Sequence, residues 1–298
     1  MKLFAIQALL SFNYVMKHRI HNDTLEAVID AYGAQLISLK KEGKEYMWNR
    51  NSQYWADSAL LLFPFIGRNY EDAYLYQDKQ YSMGIHGFAS SRSFTLLKQE
   101  EDHLLFSLHE DEETLSVYPF HFELQVDYRL IDDSLQIRFD INNHSKDCMI
   151  YSLGYHPGFL LHQNLEQYRI FFPNAFQPEE IGIVTKCMLN GENRSVDLLG
   201  NCLYLNKEMF RNSARVYTGL GDTAILQENR DTIISIQYKG FKNIVLWQTL
   251  DSDADFICIE GWEGLPGRYG IIEDISSDQN KRFLKPNNAD RYEVLIQI

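Results

Sequence analysis

In HFELQVDYRL, the apolar residues Phe122, Leu124, Val126, Tyr128 and Leu130 alternate strictly with His121, Glu123, Gln125, Asp127 and Arg129. A period of two puts each set on its own face of an extended strand. LQIRFDIN repeats the alternation with Leu135, Ile137, Phe139 and Ile141, so residues 122–142 read as a β-hairpin turning at Asp132 and Asp133. Further strands are expected at 26–29, 35–40, 103–109, 233–238, 243–248, 256–260 and 292–298. No segment keeps a helical period for more than about three turns. Many antiparallel strands at short spacing, without alternating helices, predict an all-β fold, a large antiparallel β-sandwich. No repeat, low-complexity tract or linker divides the chain, and residues 16–298 are expected to form one domain.

Composition narrows the function. With 41 acidic against 28 basic residues, a net charge of −13 and no cluster of Lys or Arg, a nucleic-acid backbone would be repelled. The 18 Tyr and 18 Phe suit broad sheet faces and equally suit stacking on sugar rings. Cys148, Cys187, Cys202 and Cys258 form no CxxC pair and are expected to be buried thiols in a reducing compartment, which points to the cytoplasm. No apolar run reaches the roughly 18–20 residues a membrane helix needs. Residues 1–15 begin like a signal peptide but lack its small-residue cleavage pattern. With Met16 following, three readings stand: an over-extended start, an extra strand or a short anchor.

Four stretches break the strand pattern with one ionisable residue amid apolar and Gly or Pro neighbours: PFIGRNY around Arg68, GIHGFA around His86, LGYHPGF around His156 and CIEGWEGLPG around Glu260. Each suggests a strand ending at a cleft floor where the backbone turns. Taken singly, either histidine is more often a satisfied core residue, Arg68 a structural ion pair and Glu260 a turn cap. Unpaired burial of all four would cost several kcal/mol each, so they are expected to share one site. Glu263 is expected to be solvated.

These motifs, with LEAVIDAYGAQLISLKKEGKEYMW, DEETLSVYPFHFELQVDYRL and NIVLWQT, resemble those of the aldose 1-epimerases of the galactose mutarotase superfamily, most closely the LacX-like branch, in order over nearly all of residues 18–298. The resemblance implies a β-supersandwich whose cleft binds a monosaccharide without metal or organic cofactor. It implies His156 as general acid, Glu260 as general base, and Arg68 and His86 as contacts to sugar oxygens. Trp247 or Trp262 would stack on the sugar, with core packing an equal reading of either. One base and one acid, expected on opposite sides, suffice to open the ring to the aldehyde and reclose it on the other face. Three positions depart from the family pattern: Ser90 after HGFA, with Arg92 two places on; Gly261 where a proline is expected; and Gly267 where an aspartate is expected.

Three other readings stay open. A phosphorylated hexose would need basic residues to converge, with Arg68, Arg92 and Lys207 as candidates. A sugar sensor would keep the pocket without turnover. A metal site would use His86, His156 and Glu260, although 70 and 104 residues separate them and neither histidine stands in an HxH pair. A monomer or homodimer is expected.

Overall fold

Strict alternation in the 122–142 region gives the hairpin: Phe122–Ile131 pairs with Ser134–Asn143 from Phe122↔Asn143 to Ile131↔Ser134. Asp132 turns the chain in the left-handed region at φ 51°. All nine apolar residues of the pattern are buried. The computed structural model describes residues 17–184, 186–211, 214–249 and 253–298; residues 1–15, with their three readings, lie outside them.

This hairpin lies inside a nine-stranded antiparallel sheet, which faces a seven-stranded one. Their shared core is aromatic: Phe139 of the first sheet meets Tyr155 of the second with ring centroids 5.5 Å apart. A four-stranded sheet from Lys17 to Glu45 and two two-stranded pairs complete the described strands. The fold is the all-β supersandwich expected. No described helix is long and apolar enough to cross a membrane.

Strand 103–109 forms with the bounds expected, and the other expected strands form with ends shifted by a few residues. The edge strand Met188–Ser195 was not anticipated, because its last six residues are all exposed and carry no alternation. Leu153–Leu160 and Phe256–Glu263 correct the expectation of strands ending at the cleft, since His156 and Glu260 lie in mid-strand. Both strands are buried on both faces, which erases the period-two signal. Proline and glycine in LGYHPGFL also argue against a strand inside a sheet. Of the cysteines, only Cys202 and Cys258 are buried; Cys148 and Cys187 are partly exposed, and all four are free.

The seven-stranded sheet has two apolar faces. Leu61, Tyr155, Leu246, Ile257 and Ile259 point into the sandwich core. Leu62, Val216, Val245 and Trp262 form a separate cluster on the outer face. The outer face carries the polar residues discussed next.

Candidate active site

The central strands of this sheet are antiparallel, with Tyr155 opposite Gly261 and Gly158 opposite Cys258. The same register sets His156 directly opposite Glu260, and facing residues on adjacent strands project to the same side. Pro157 lacks an N–H, so the ladder opens at this point. His156 Nε2 lies 3.2 Å from Glu260 Oε1. The two groups therefore stand side by side, not on opposite sides as expected.

Room for the histidine comes from its neighbours on the same face, Gly154 and Gly158. A Cβ on Gly154 would stand 2.8 Å from Leu62 and one on Gly158 2.8 Å from the Trp55 ring. The Trp55 indole lies over His156 at 5.1 Å and 33°, and Trp247 meets the imidazole edge-on at 5.4 Å. Trp262, the next residue on the Glu260 face, donates its indole N–H to Glu260 Oε2 at 2.8 Å. Trp247 is partly exposed beside the pair, whereas Trp262 is buried and is engaged with the carboxylate.

His86 reaches the pair from a loop. Its N–H donates to Gly67 O at 2.8 Å, and the Gly67 N–H donates back to His86 Nδ1 at 3.1 Å. Receiving that bond requires a lone pair on Nδ1, so the ring is neutral with its proton on Nε2. Gly87 makes the turn possible: its φ is +76° and a Cβ would stand 2.3 Å from Phe63 O. The His86 and His156 rings meet at 6.1 Å, and His86 lies 6.5 Å from the Trp262 ring. Arg68 follows Gly67; its Nη1 donates to Asp72 at 2.7 Å. The four motif residues thus converge: Arg68 beside His86, His86 against His156, His156 against Glu260.

Burial governs the protonation of the group. It raises Glu260 well above the usual carboxylate range, against the pull of the Trp262 hydrogen bond. It lowers His156 to about 3, with His86 adding to the effect. Burial and the Arg68 charge lower His86 to about 4. The Cys187 thiol, whose backbone oxygen accepts from the Arg68 N–H, is pushed up to about 12 by burial and by Glu260. Both shifts favour the neutral forms of His156 and Glu260, with the proton on the carboxyl. His156 Nδ1 is buried with no hydrogen-bond partner among the described residues.

Several sequence expectations change here. Glu263 is buried, not solvated, and pairs with Lys242 at 3.1 Å and Arg282 at 3.6 Å. Arg92 is held by Glu113 and Asp111 at the start of the helix Glu112–Val117, and Lys207 by Asp253, so the basic candidates do not converge on Arg68. Gly261 is dictated by its neighbour: a Cβ would stand 2.4 Å from the Tyr238 ring. A Cβ on Gly267 would meet Asn69 at 2.9 Å, and its N–H donates to Arg68 O. Among the described residues no three His, Cys, Asp or Glu side chains are grouped to hold a metal ion. Trp55 and Cys187 were missed; a lone tryptophan in NSQYWADS and a lone cysteine carry no pattern.

Known proteins are similar to this chain in sequence or in fold. Protein LacX (chromosomal) of Lactococcus lactis subsp. lactis is 29% identical over 284 residues, covering 87% of this chain and 92% of that protein. The crystal structure of a galactose mutarotase related enzyme from Lactobacillus acidophilus matches with a TM-score of 0.89 at 27% identity, covering 95% of this chain and 97% of the other. A galactose mutarotase-like protein from Lactobacillus casei also matches at 0.89, with 25% identity and 95% and 99% coverage. The family model for aldose 1-epimerase matches residues 16–271. Because that match takes in all four converging motifs and both strands that bring His156 to Glu260, the chain belongs to the aldose 1-epimerase family.

Proposed function

We propose that the chain is a cofactor-independent aldose 1-epimerase that interconverts the α and β anomers of a hexose, with Glu260 as general base and His156 as general acid. The observation that supports it most is the 3.2 Å contact between these two groups on one sheet face. In a pyranose the C1 hydroxyl and the ring oxygen are both bonded to C1. A base for one and an acid for the other must therefore act within a single acetal unit, and adjacent strands supply that spacing.

Glu260 takes the proton of the C1 hydroxyl while His156 Nε2 protonates the ring oxygen, and the C1–O5 bond breaks to give the open-chain aldehyde. Rotation about C1–C2 presents the other carbonyl face. Ring closure returns the O5 proton to His156 and the Glu260 proton to the new C1 oxygen, so both groups are regenerated. The reactive carboxylate–imidazolium form differs from the neutral pair by one proton moved between Glu260 and His156, and no net charge enters the buried site. With the carboxyl raised by burial and the imidazole lowered to about 3, the proton rests on Glu260, and the bound sugar, with Arg68 and the Trp262 N–H, must favour the carboxylate–imidazolium form for the reaction to run.

His86, with its proton on Nε2, supplies a donor to a sugar oxygen. Arg68 keeps four N–H donors beyond the one on Asp72 for charge developing on the departing oxygen. Trp247 is the wall against which the sugar C–H face packs. The sensor and phosphosugar readings are separated from this one by turnover. Polarimetry of freshly dissolved α-glucose and α-galactose should show acceleration by the wild-type protein. Glu260→Gln and His156→Asn should each lose about 10²- to 10⁴-fold of it while still binding sugar. Unchanged rates in either variant would refute the assigned roles.

A further inference from the structure

Next to the site is a cleft of about 500 Å³ that the mechanism leaves unused. Arg68 connects the two: it follows Gly67, whose N–H donates to His86 Nδ1, and it lines the cleft. The remaining walls include Tyr70, Glu71, Asp72, Lys186 and Tyr269. Tyr269 is 59% exposed, yet it is fixed in place: its N–H donates to Leu189 O at 2.9 Å and the preceding Arg268 is held by Glu273. Tyr70 buttresses it edge-on, with ring centroids 5.6 Å apart at 86°. An anchored aromatic ring that faces solvent is a stacking surface without an occupant from this chain.

Charge decides what kind of ligand fits. Arg68 and Lys186 are offset by Glu71 and Asp72, and Arg68 is already bonded to Asp72 at 2.7 Å. A phosphate dianion would meet two carboxylates as well as two cations. A neutral polyhydroxylated ring meets donors and acceptors on all sides and an aromatic face to lie on. The volume falls within the range of small-molecule sites, about 300–1,000 Å³.

We propose that this cleft is a second saccharide subsite, and that the preferred substrate is a reducing disaccharide whose second sugar lies against Tyr269. The inference rests on the aldose 1-epimerase reading above. C1 of the reacting hexose must stay free, so the second sugar is attached through one of its other hydroxyls, and Arg68 sits where the two rings join.

The test compares anomerisation of galactose and glucose with that of lactose and maltose, in wild type and in Tyr269→Ala, an exposed substitution. The expected result is a KM about tenfold lower for at least one disaccharide than for its reducing hexose, with Tyr269→Ala raising that KM about tenfold and leaving kcat and both hexoses unchanged. Equal KM values with no effect of Tyr269→Ala, or a preference for glucose 6-phosphate over every disaccharide, would overturn the subsite. If no sugar is turned over, the epimerase reading fails on its own. Tryptophan fluorescence titration then judges the cleft separately: tighter, Tyr269-dependent disaccharide binding supports it, and equal binding of mono- and disaccharide refutes it.

Discussion

Trp262 donates its indole N–H to one oxygen of Glu260 at 2.8 Å while His156 meets the other at 3.2 Å. Residues two apart on a strand share a face, so the sequence Glu-Gly-Trp builds this clamp locally. A buried carboxylate left without donors would stay protonated and useless as a base. Of the two tryptophans that the sequence offers as a sugar platform or as core, Trp262 is, in the fold, the partner of the carboxylate.

Trp262→Phe keeps the ring volume and removes the donor. The hydrogen bond favours the ionised form, so its loss should raise the Glu260 pKa further. Glu260 holds the proton of the resting pair, so a higher Glu260 pKa leaves less of the carboxylate–imidazolium form that reacts. The high-pH limb of the kcat profile, where the pair loses its last proton, should therefore move upward, and kcat should fall by roughly tenfold or more, as for a charged hydrogen bond of about 1.5–3 kcal/mol. A lower kcat with an unmoved limb would indicate packing alone.

His86 makes stability depend on acid pH. Its folded pKa, lowered to about 4, lies below the unfolded value near 6.5, so the unfolded chain binds the extra proton first. The stability it contributes is complete above pH 6.5 and declines as pH falls toward 4, by about 2–3 kcal/mol. His86→Asn tolerates the left-handed backbone at this position (φ 65°) and does not titrate. Denaturant unfolding at pH 7 and pH 4.5 should show a smaller decline for the variant. Parallel declines would mean that the Gly67–His86 bond does not hold the ring neutral.

Gly261 and Tyr238 form a matched pair on the core face. Gly261→Ala should destabilise by about 1–3 kcal/mol through overpacking. In a double-mutant cycle with Tyr238→Leu the penalty should shrink markedly, because the obstructing ring is gone. An additive cycle would show that Tyr238 is not the reason for the glycine. A proline at 261 would meet the same ring, which explains the departure from the family pattern.

How much could be read from the chain follows from how each element is buried. The 122–142 hairpin was legible because one face of it meets the core and the other does not, so alternation marks every residue. The strands bearing His156 and Glu260 have no polar face, and nothing in their pattern gives their ends. The site residues stood out for the opposite reason: ionisable groups amid buried apolar runs are costly unless they meet. That argument named four residues but not their arrangement, because strand register is a long-range property. Trp55 was illegible since its role depends on a neighbour 101 residues away.

Trp55 provides the last prediction. Its indole lies over the His156 imidazole at 5.1 Å and 33°, a geometry in which an aromatic face stabilises a cation. Burial disfavours the imidazolium that the reaction needs, and Trp55 opposes that penalty. Facing the same imidazole are Glu260, with Trp247 edge-on and His86 beyond, so the limbs of the pH profile belong to the coupled group. Trp55→Leu removes the π face, and the imidazolium should lose about 0.5–2 kcal/mol. His156, lowered to about 3, takes the second proton of the pair, so the low-pH limb of kcat should move to lower pH, and kcat should fall a few-fold because the carboxylate–imidazolium form loses population. Gly158→Ala should give the same shift by a different route, since its Cβ would displace the indole it faces at 2.8 Å. If both variants lower kcat with the limb in place, Trp55 acts only as a wall of the pocket; if only KM rises, it is a sugar contact rather than a support for the acid.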